Sequence, residues 1–85
     1  MNKDIMQLDI VINKFTKAMK DKCFLKSYEG ERGWDNPNNK DYIIKSLIKH
    51  VDKLSEGDEN QYIDIANLAM FLWNLNENNL SIEEI

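Results

Sequence analysis

The sequence contains few of the residues on which disulfide-linked, zinc-binding and membrane-spanning proteins depend. Its 85 residues include one cysteine, Cys23, and one histidine, His50. A single cysteine forms no internal disulfide. One cysteine and one histidine together fall short of the four ligands of a structural zinc site. No run of about 18 apolar residues occurs, and charged residues interrupt the apolar N-terminal stretch. We therefore expect a cytoplasmic protein without a signal peptide or a membrane span.

Lysine and arginine are absent from the last third of the chain. Residues 55–85 carry seven acidic side chains and no basic one, whereas residues 40–54 carry four lysines against two aspartates. The net charge of the whole chain is −4. Because this balance leaves no general basic surface, we expect no binding to DNA. The local basic segments can still hold a small anionic ligand.

Only three glycines and one proline interrupt the chain, and apolar residues recur at intervals of three and four. Such spacing predicts helices over residues 4–26, 40–55 and 58–76. Residues 27–39, which hold two of the glycines and the proline, are predicted to form a loop. Residues 77–85 are predicted to form a tail with at most one further turn. The expected fold is all-α, with three helices of which the second and third form a hairpin.

The predicted third helix is apolar on nearly all sides. One stripe along it contains Tyr62, Ile65, Ala66, Ala69, Leu72 and Trp73. A helix of this kind is normally buried, yet a domain of this size buries only roughly 60% of its unfolded surface. We therefore expect homo-oligomerisation, as a dimer or tetramer, to complete the core.

The predicted first helix carries a narrower apolar stripe, which we expect to face the core. Its members are Ile5, Leu8, Ile12, Phe15 and Met19. Lysines occupy much of the remaining surface of this helix, and we interpret them as solvated.

Trp34 lies in the predicted loop, between the helix-breaking residues Gly30, Gly33 and Pro37. Two interpretations are open. The indole covers the edge of the core, or it forms a stacking platform for a nucleobase while Arg32 contacts a phosphate.

Three short pieces of the chain resemble the MazG-like all-α nucleotide pyrophosphohydrolases, especially their short phage-encoded members. The pieces are Gly33-Trp34-Asp35, Gly57-Asp58 and Asp64-Ile65-Ala66-Asn67, the last followed by Met70 and Trp73. The resemblance covers residues 27–76. It implies a helical hairpin that oligomerises around a nucleotide site. It also implies magnesium held by two acidic sets on facing helices, of the forms E-E-x-x-E and E-x-x-D.

The chain departs from this family pattern in its acidic residues. The first acidic set is replaced by Lys49-His50-Val51-Asp52-Lys53, and the second reads Gln61-Tyr62-Ile63-Asp64. Of the carboxylates that the resemblance implies, only Asp64 is in place. Magnesium requires several hard oxygen ligands, so a lone aspartate is a poor site. We therefore expect no metal cofactor.

We interpret the chain as a phage-encoded, non-catalytic protein that sequesters a phosphate-containing nucleotide, such as a host anti-phage signal. Cations on the second helix would neutralise the phosphate without a metal. Asp64 and Asn67 form a polar pair on the otherwise apolar third helix. The candidate nucleotide-binding residues are Arg32, Trp34, Lys49, His50, Lys53, Asp64 and Asn67.

Two alternatives remain open. The first is a magnesium-dependent nucleoside triphosphate pyrophosphohydrolase, for which Asp52, Glu56, Glu59 and Asp64 would have to converge on the metal. The second is a helical adaptor that binds a host protein through its apolar third helix and acidic tail, with no small ligand.

Overall fold

The fold contains three α-helices and no strand within residues 2–83, which are the residues that this computed structural model describes. The helices are α1 (Lys3–Tyr28), α2 (Lys40–Ser55) and α3 (Tyr62–Glu83). Short 3₁₀ turns at Pro37–Asn39 and Glu59–Gln61 precede α2 and α3. The predicted all-α fold with three helices is confirmed. Within the same residues, no helix combines the length and apolar content needed to cross a membrane.

The α2–α3 hairpin is closed by a connection with strong local signals. Gly57 adopts a φ of +103°, which lets the chain turn away from the end of α2. Asp58 then caps the 3₁₀ turn, because its Oδ1 accepts a hydrogen bond from the Asn60 amide at 3.1 Å. The third α-helix accordingly starts at Tyr62, later than the predicted range of 58–76.

The C-terminal end of α3 differs from the predicted tail. Helical structure continues to Glu83, through most of residues 77–85, and residues 84 and 85 lie outside the described part of the chain. Neither glycine nor proline occurs between residues 62 and 83, so no residue there forces the helix to end.

The apolar core of the single chain is small. Ile43 on α2 and Leu75 on α3 are the buried apolar residues among those described, with 4% and 2% of their surface exposed. We expected the apolar stripe of α1 to face this core, but it does not. All of its members except Met19 are exposed, and the contacts of α1 with α3 include Met19 and Lys22 in its C-terminal half.

The loop between α1 and α2 is held at both ends by hydrogen bonds. Arg32 Nη1 donates to the carbonyl oxygens of Ser27, at 2.9 Å, and Glu31, at 2.8 Å. Asn39 Nδ2 donates to the carbonyl oxygen of Gly33 at 2.9 Å. These bonds fix Trp34, which lies between them, against α3.

Gly33 offers a test of this loop, with Gly30 as its control. Both glycines have a positive φ, so alanine at either should destabilise the fold by about 1 kcal/mol or more. A Cβ on residue 33 would also lie 2.5 Å from Asn39 Nδ2, whereas a Cβ on residue 30 meets nothing within 4 Å. Gly33→Ala should therefore lose about 1 kcal/mol more than Gly30→Ala, since the Asn39 bond must move. Urea unfolding measures both, and equal losses would contradict the close approach.

Candidate functional site

A cavity of about 810 Å³ lies between the C-terminal half of α1, the following loop and the α2–α3 hairpin. Four structural elements line it, so its shape depends on how α1 and the loop pack against the hairpin. Its size falls in the range of small-molecule sites in proteins, about 300–1,000 Å³.

Asp64 is the polar centre of this cavity. Its two carboxylate oxygens lie 3.0 and 3.1 Å from Lys22 Nζ on α1. Its Oδ2 also lies 4.0 Å from His50 Nδ1 on α2. Side chains from all three helices therefore meet at Asp64, which is itself only about a quarter exposed (23%).

His50 is connected to the turn before α3 by a chain of hydrogen bonds. Its Nδ1 lies within hydrogen-bonding distance of Gln61 Oε1. Gln61 is buried, and its Nε2 donates to Asp58 Oδ2 at 2.9 Å. The imidazole is thus held against the hairpin with one of its two nitrogens engaged.

Asn67 lies one turn after Asp64 and is 5% exposed. Its Nδ2 donates to the carbonyl oxygen of Met19 at 3.3 Å, which joins α3 to α1. Its Oδ1 is fully buried and has no hydrogen-bond partner among the described residues. A buried acceptor without a partner costs about 1–3 kcal/mol, which makes this atom a candidate contact for a ligand.

The aromatic side of the cavity is formed by Trp34 and Phe71. Their ring centroids are 5.4 Å apart and their planes are tilted by 35°. Trp34 nevertheless remains 46% exposed. The indole therefore covers Phe71 with part of its surface and keeps another part open, so both interpretations of this residue agree with its position.

The cavity brings together five of the seven candidate nucleotide-binding residues. They are Arg32, Trp34, His50, Asp64 and Asn67. Lys49 and Lys53 do not line it, and both side chains are exposed. Lys49 is turned about 100° around α2 from His50, and Lys53 lies in the last helical turn, beyond the cavity.

The cations that line the cavity instead are Lys22 and Lys26 on α1, together with Arg32. The sequence predicts solvated lysines on α1, yet the side chains of Lys22 and Lys26 are half-buried. A signal for their placement exists in the sequence, because Lys22 and Lys26 continue the three-and-four spacing of Phe15 and Met19. They therefore lie on the face that α1 turns toward the hairpin.

The acids of the alternative metal site do not come together in this chain. Asp52, Glu56 and Glu59 are exposed, and Asp64 is paired with Lys22. Over residues 2–83, no group of three or more His, Cys, Asp and Glu side chains is arranged to hold a metal ion.

Comparison with protein-family models, curated proteins and solved structures finds no match to this chain. Its function must therefore be inferred from its own residues.

Cys23 reports on access to the cavity, because it lines the wall between Lys22 and Lys26. Burial raises the pKa of the Cys23 thiol, so less of the reactive thiolate is present than in an exposed cysteine. At pH 8, we expect iodoacetamide to modify Cys23 several-fold more slowly than free N-acetylcysteine. The same chain unfolded in urea serves as the control and should react like the free thiol. An equal rate in the folded protein, measured by mass spectrometry, would show that the thiol is not shielded.

Proposed function

We propose that this protein binds a phosphate-containing nucleotide in the cavity and sequesters it without cleaving it. The proposal is based on one observation, that cations and an aromatic surface line the same cavity. Lys22, Lys26 and Arg32 supply positive charge, and Trp34 with Phe71 supplies a surface on which a base can stack. A nucleotide combines the same two properties, a charged phosphate and a planar base.

Arg32 is the strongest candidate for the phosphate contact. Its Nη1 donates to carbonyl oxygens of Ser27 and Glu31, which fix the position of the guanidinium. Among the described residues Arg32 forms no salt bridge. By contrast, Lys22 is paired with Asp64, and Lys26 Nζ lies 3.6 Å from Glu31 Oε1. The guanidinium charge is therefore positioned but not neutralised, and its planar donors suit a phosphate.

We infer that the scaffold is a MazG-like hairpin that has kept a nucleotide cavity and lost the acidic residues for magnesium. Cleavage of a pyrophosphate bond requires stabilisation of developing charge and an activated water. Binding requires complementary charge and a stacking surface, which the cavity supplies. A phage-encoded protein with these properties would act in the host cytoplasm by removing a signalling nucleotide. The hydrolase and the adaptor are the competing outcomes of the tests below.

A thermal-shift panel of linear and cyclic nucleotides, with magnesium and with a chelator, tests the proposal. We expect at least one nucleotide to raise the melting temperature equally under both conditions. Chromatography after heat denaturation should recover that nucleotide intact. A cleaved product that forms only with magnesium would support the hydrolase instead. No shift with any nucleotide, together with a protein partner in a pull-down, would support the adaptor.

The position of the phosphate can be tested with two charge reversals. Lys26→Glu places a negative charge in the cavity, and we expect it to weaken binding by about ten-fold or more. Lys49→Glu makes the same charge change on the exposed face of α2, and we expect an effect within about two-fold. Isothermal titration of each variant measures the difference. A larger loss in Lys49→Glu would place the phosphate on α2.

We further propose that the chain forms a homo-oligomer through the N-terminal half of α1. This segment exposes seven apolar side chains: Ile5, Met6, Leu8, Ile10, Val11, Ile12 and Phe15. Exposed apolar patches of this extent are rare on monomers and commonly mark interaction surfaces. Acidic Asp4 and Asp9 precede basic Lys14 and Lys17 along the helix, so an antiparallel pair of copies would place acids against lysines.

Ile12→Lys tests this surface, because Ile12 is 58% exposed and lies near the middle of the apolar segment. We expect the substitution to shift the protein toward the monomer mass of 10.0 kDa. Asn13→Lys adds the same charge at the next position and should leave the oligomer largely unchanged. Size-exclusion chromatography with light scattering measures both. An unchanged mass in Ile12→Lys, or a monomeric parent protein, would contradict the proposed surface.

A further inference from the structure

The hydrogen bonds that link Asp58, Gln61 and His50 determine which imidazole nitrogen carries the proton in the neutral ring. A carboxylate only accepts hydrogen bonds, so the group of Gln61 that faces Asp58 Oδ2 at 2.9 Å must be the amide nitrogen. The other Asp58 oxygen accepts from the Asn60 backbone amide, which holds the carboxylate in place. The amide of Gln61 therefore has one orientation, with its oxygen toward His50.

Gln61 Oε1 is an acceptor, so His50 Nδ1 must donate to it. The neutral imidazole consequently carries its proton on Nδ1, and Nε2 is left with a free lone pair. Nε2 has no hydrogen-bond partner within the described part of the chain and is not among its fully buried unpaired atoms. His50 lines the cavity, so Nε2 is an unpaired acceptor on a side chain of the cavity wall.

Two cations of the cavity are paired with carboxylates, Lys22 on α1 with Asp64 on α3 and Lys26 with Glu31 of the loop. His50 on α2 contributes the unpaired acceptor Nε2. Asn67 contributes the buried Oδ1 that no described residue satisfies. The cations come from α1 and the loop. Arg32 is the cavity cation that forms no salt bridge among the described residues, so a ligand with a phosphate near Arg32 and a hydrogen-bond donor near His50 matches the groups that are left unpaired.

We propose that His50 Nε2 accepts a hydrogen bond from an N–H or O–H group on the nucleoside part of the ligand, and that Asp58 and Gln61 are positioning residues that hold the neutral imidazole as its Nδ1–H tautomer. This inference rests on the proposed nucleotide binding. The donor is the ribose 2′-hydroxyl or an exocyclic amino group of the base, and the phosphate points toward α1 and the loop.

The tautomer can be measured without any ligand. His50 is the only histidine, so its two ¹⁵N resonances are unambiguous in the full-length protein. At alkaline pH, where an imidazole carries one proton, we expect the proton on Nδ1. Asp58→Asn keeps the shape and capping ability of residue 58 but lets the Gln61 amide turn over, so we expect the Nε2–H form to appear. Asn60→Ala keeps the backbone amide that Asp58 contacts and should leave the spectrum unchanged. A parent protein with the proton on Nε2 would overturn the inference.

The ligand contact is tested by titration with adenosine, 2′-deoxyadenosine and inosine monophosphates, and with inorganic phosphate. If the ribose 2′-hydroxyl is the donor, 2′-deoxyadenosine monophosphate should bind about ten-fold more weakly than adenosine monophosphate. If the amino group is the donor, inosine monophosphate should bind about ten-fold more weakly instead. Asp58→Asn should weaken binding of adenosine monophosphate. It should not further weaken binding of the analogue that lacks the donor. Equal affinities for all three nucleotides would contradict the contact. Absence of binding by all probes would contradict the contact, whereas the thermal-shift panel decides the proposed function separately. The tautomer of the free protein would still decide the role of Asp58 and Gln61.

Discussion

The contact of Lys22 and His50 with Asp64 is the interaction on which the rest of the structure depends. Apolar burial alone gives α1 little to hold it, since the buried apolar residues of the described chain, Ile43 and Leu75, both belong to the hairpin. Two polar contacts join α1 to α3, the Lys22–Asp64 ion pair and the bond from Asn67 to the Met19 carbonyl. A partly buried carboxylate needs such partners, because desolvation would otherwise be costly. The same contacts set the distance between α1 and the hairpin, and so they define the cavity.

Local signals in the sequence predict much of this architecture. The spacing of apolar residues indicates three helices, and the glycines at 30, 33 and 57 lie in the connections between them. The polar pair Asp64 and Asn67 on an apolar helix indicates that this face contacts something polar, and the structure places α1 there. These features are local or repeat with the period of a helix, so they can be read without knowing the tertiary arrangement.

The features that the sequence did not predict depend on which part of each helix meets another. The α1 stripe has helical spacing along its whole length, yet Ile5 and Phe15 lie exposed while Met19, further along the helix, contacts α3. Likewise Lys53 does not line the cavity, because it lies in the last turn of α2, beyond it. Periodicity gives the direction of a side chain around its own helix. It does not give the point along the helix at which a neighbour begins or ends.

We propose that the cavity holds a nucleotide with its base near Trp34 and without a metal. The two tryptophans allow a direct test, since Trp34 lines the cavity and Trp73, which is 62% exposed, does not. The indole N–H signals of both can be followed in one ¹H–¹⁵N spectrum during titration with a nucleotide in the presence of a chelator. We expect the chemical shift of the Trp34 signal to change until binding saturates, while the chemical shift of the Trp73 signal stays constant. A Trp34 signal that does not move, or a Trp73 signal that moves in its place, would contradict the claim.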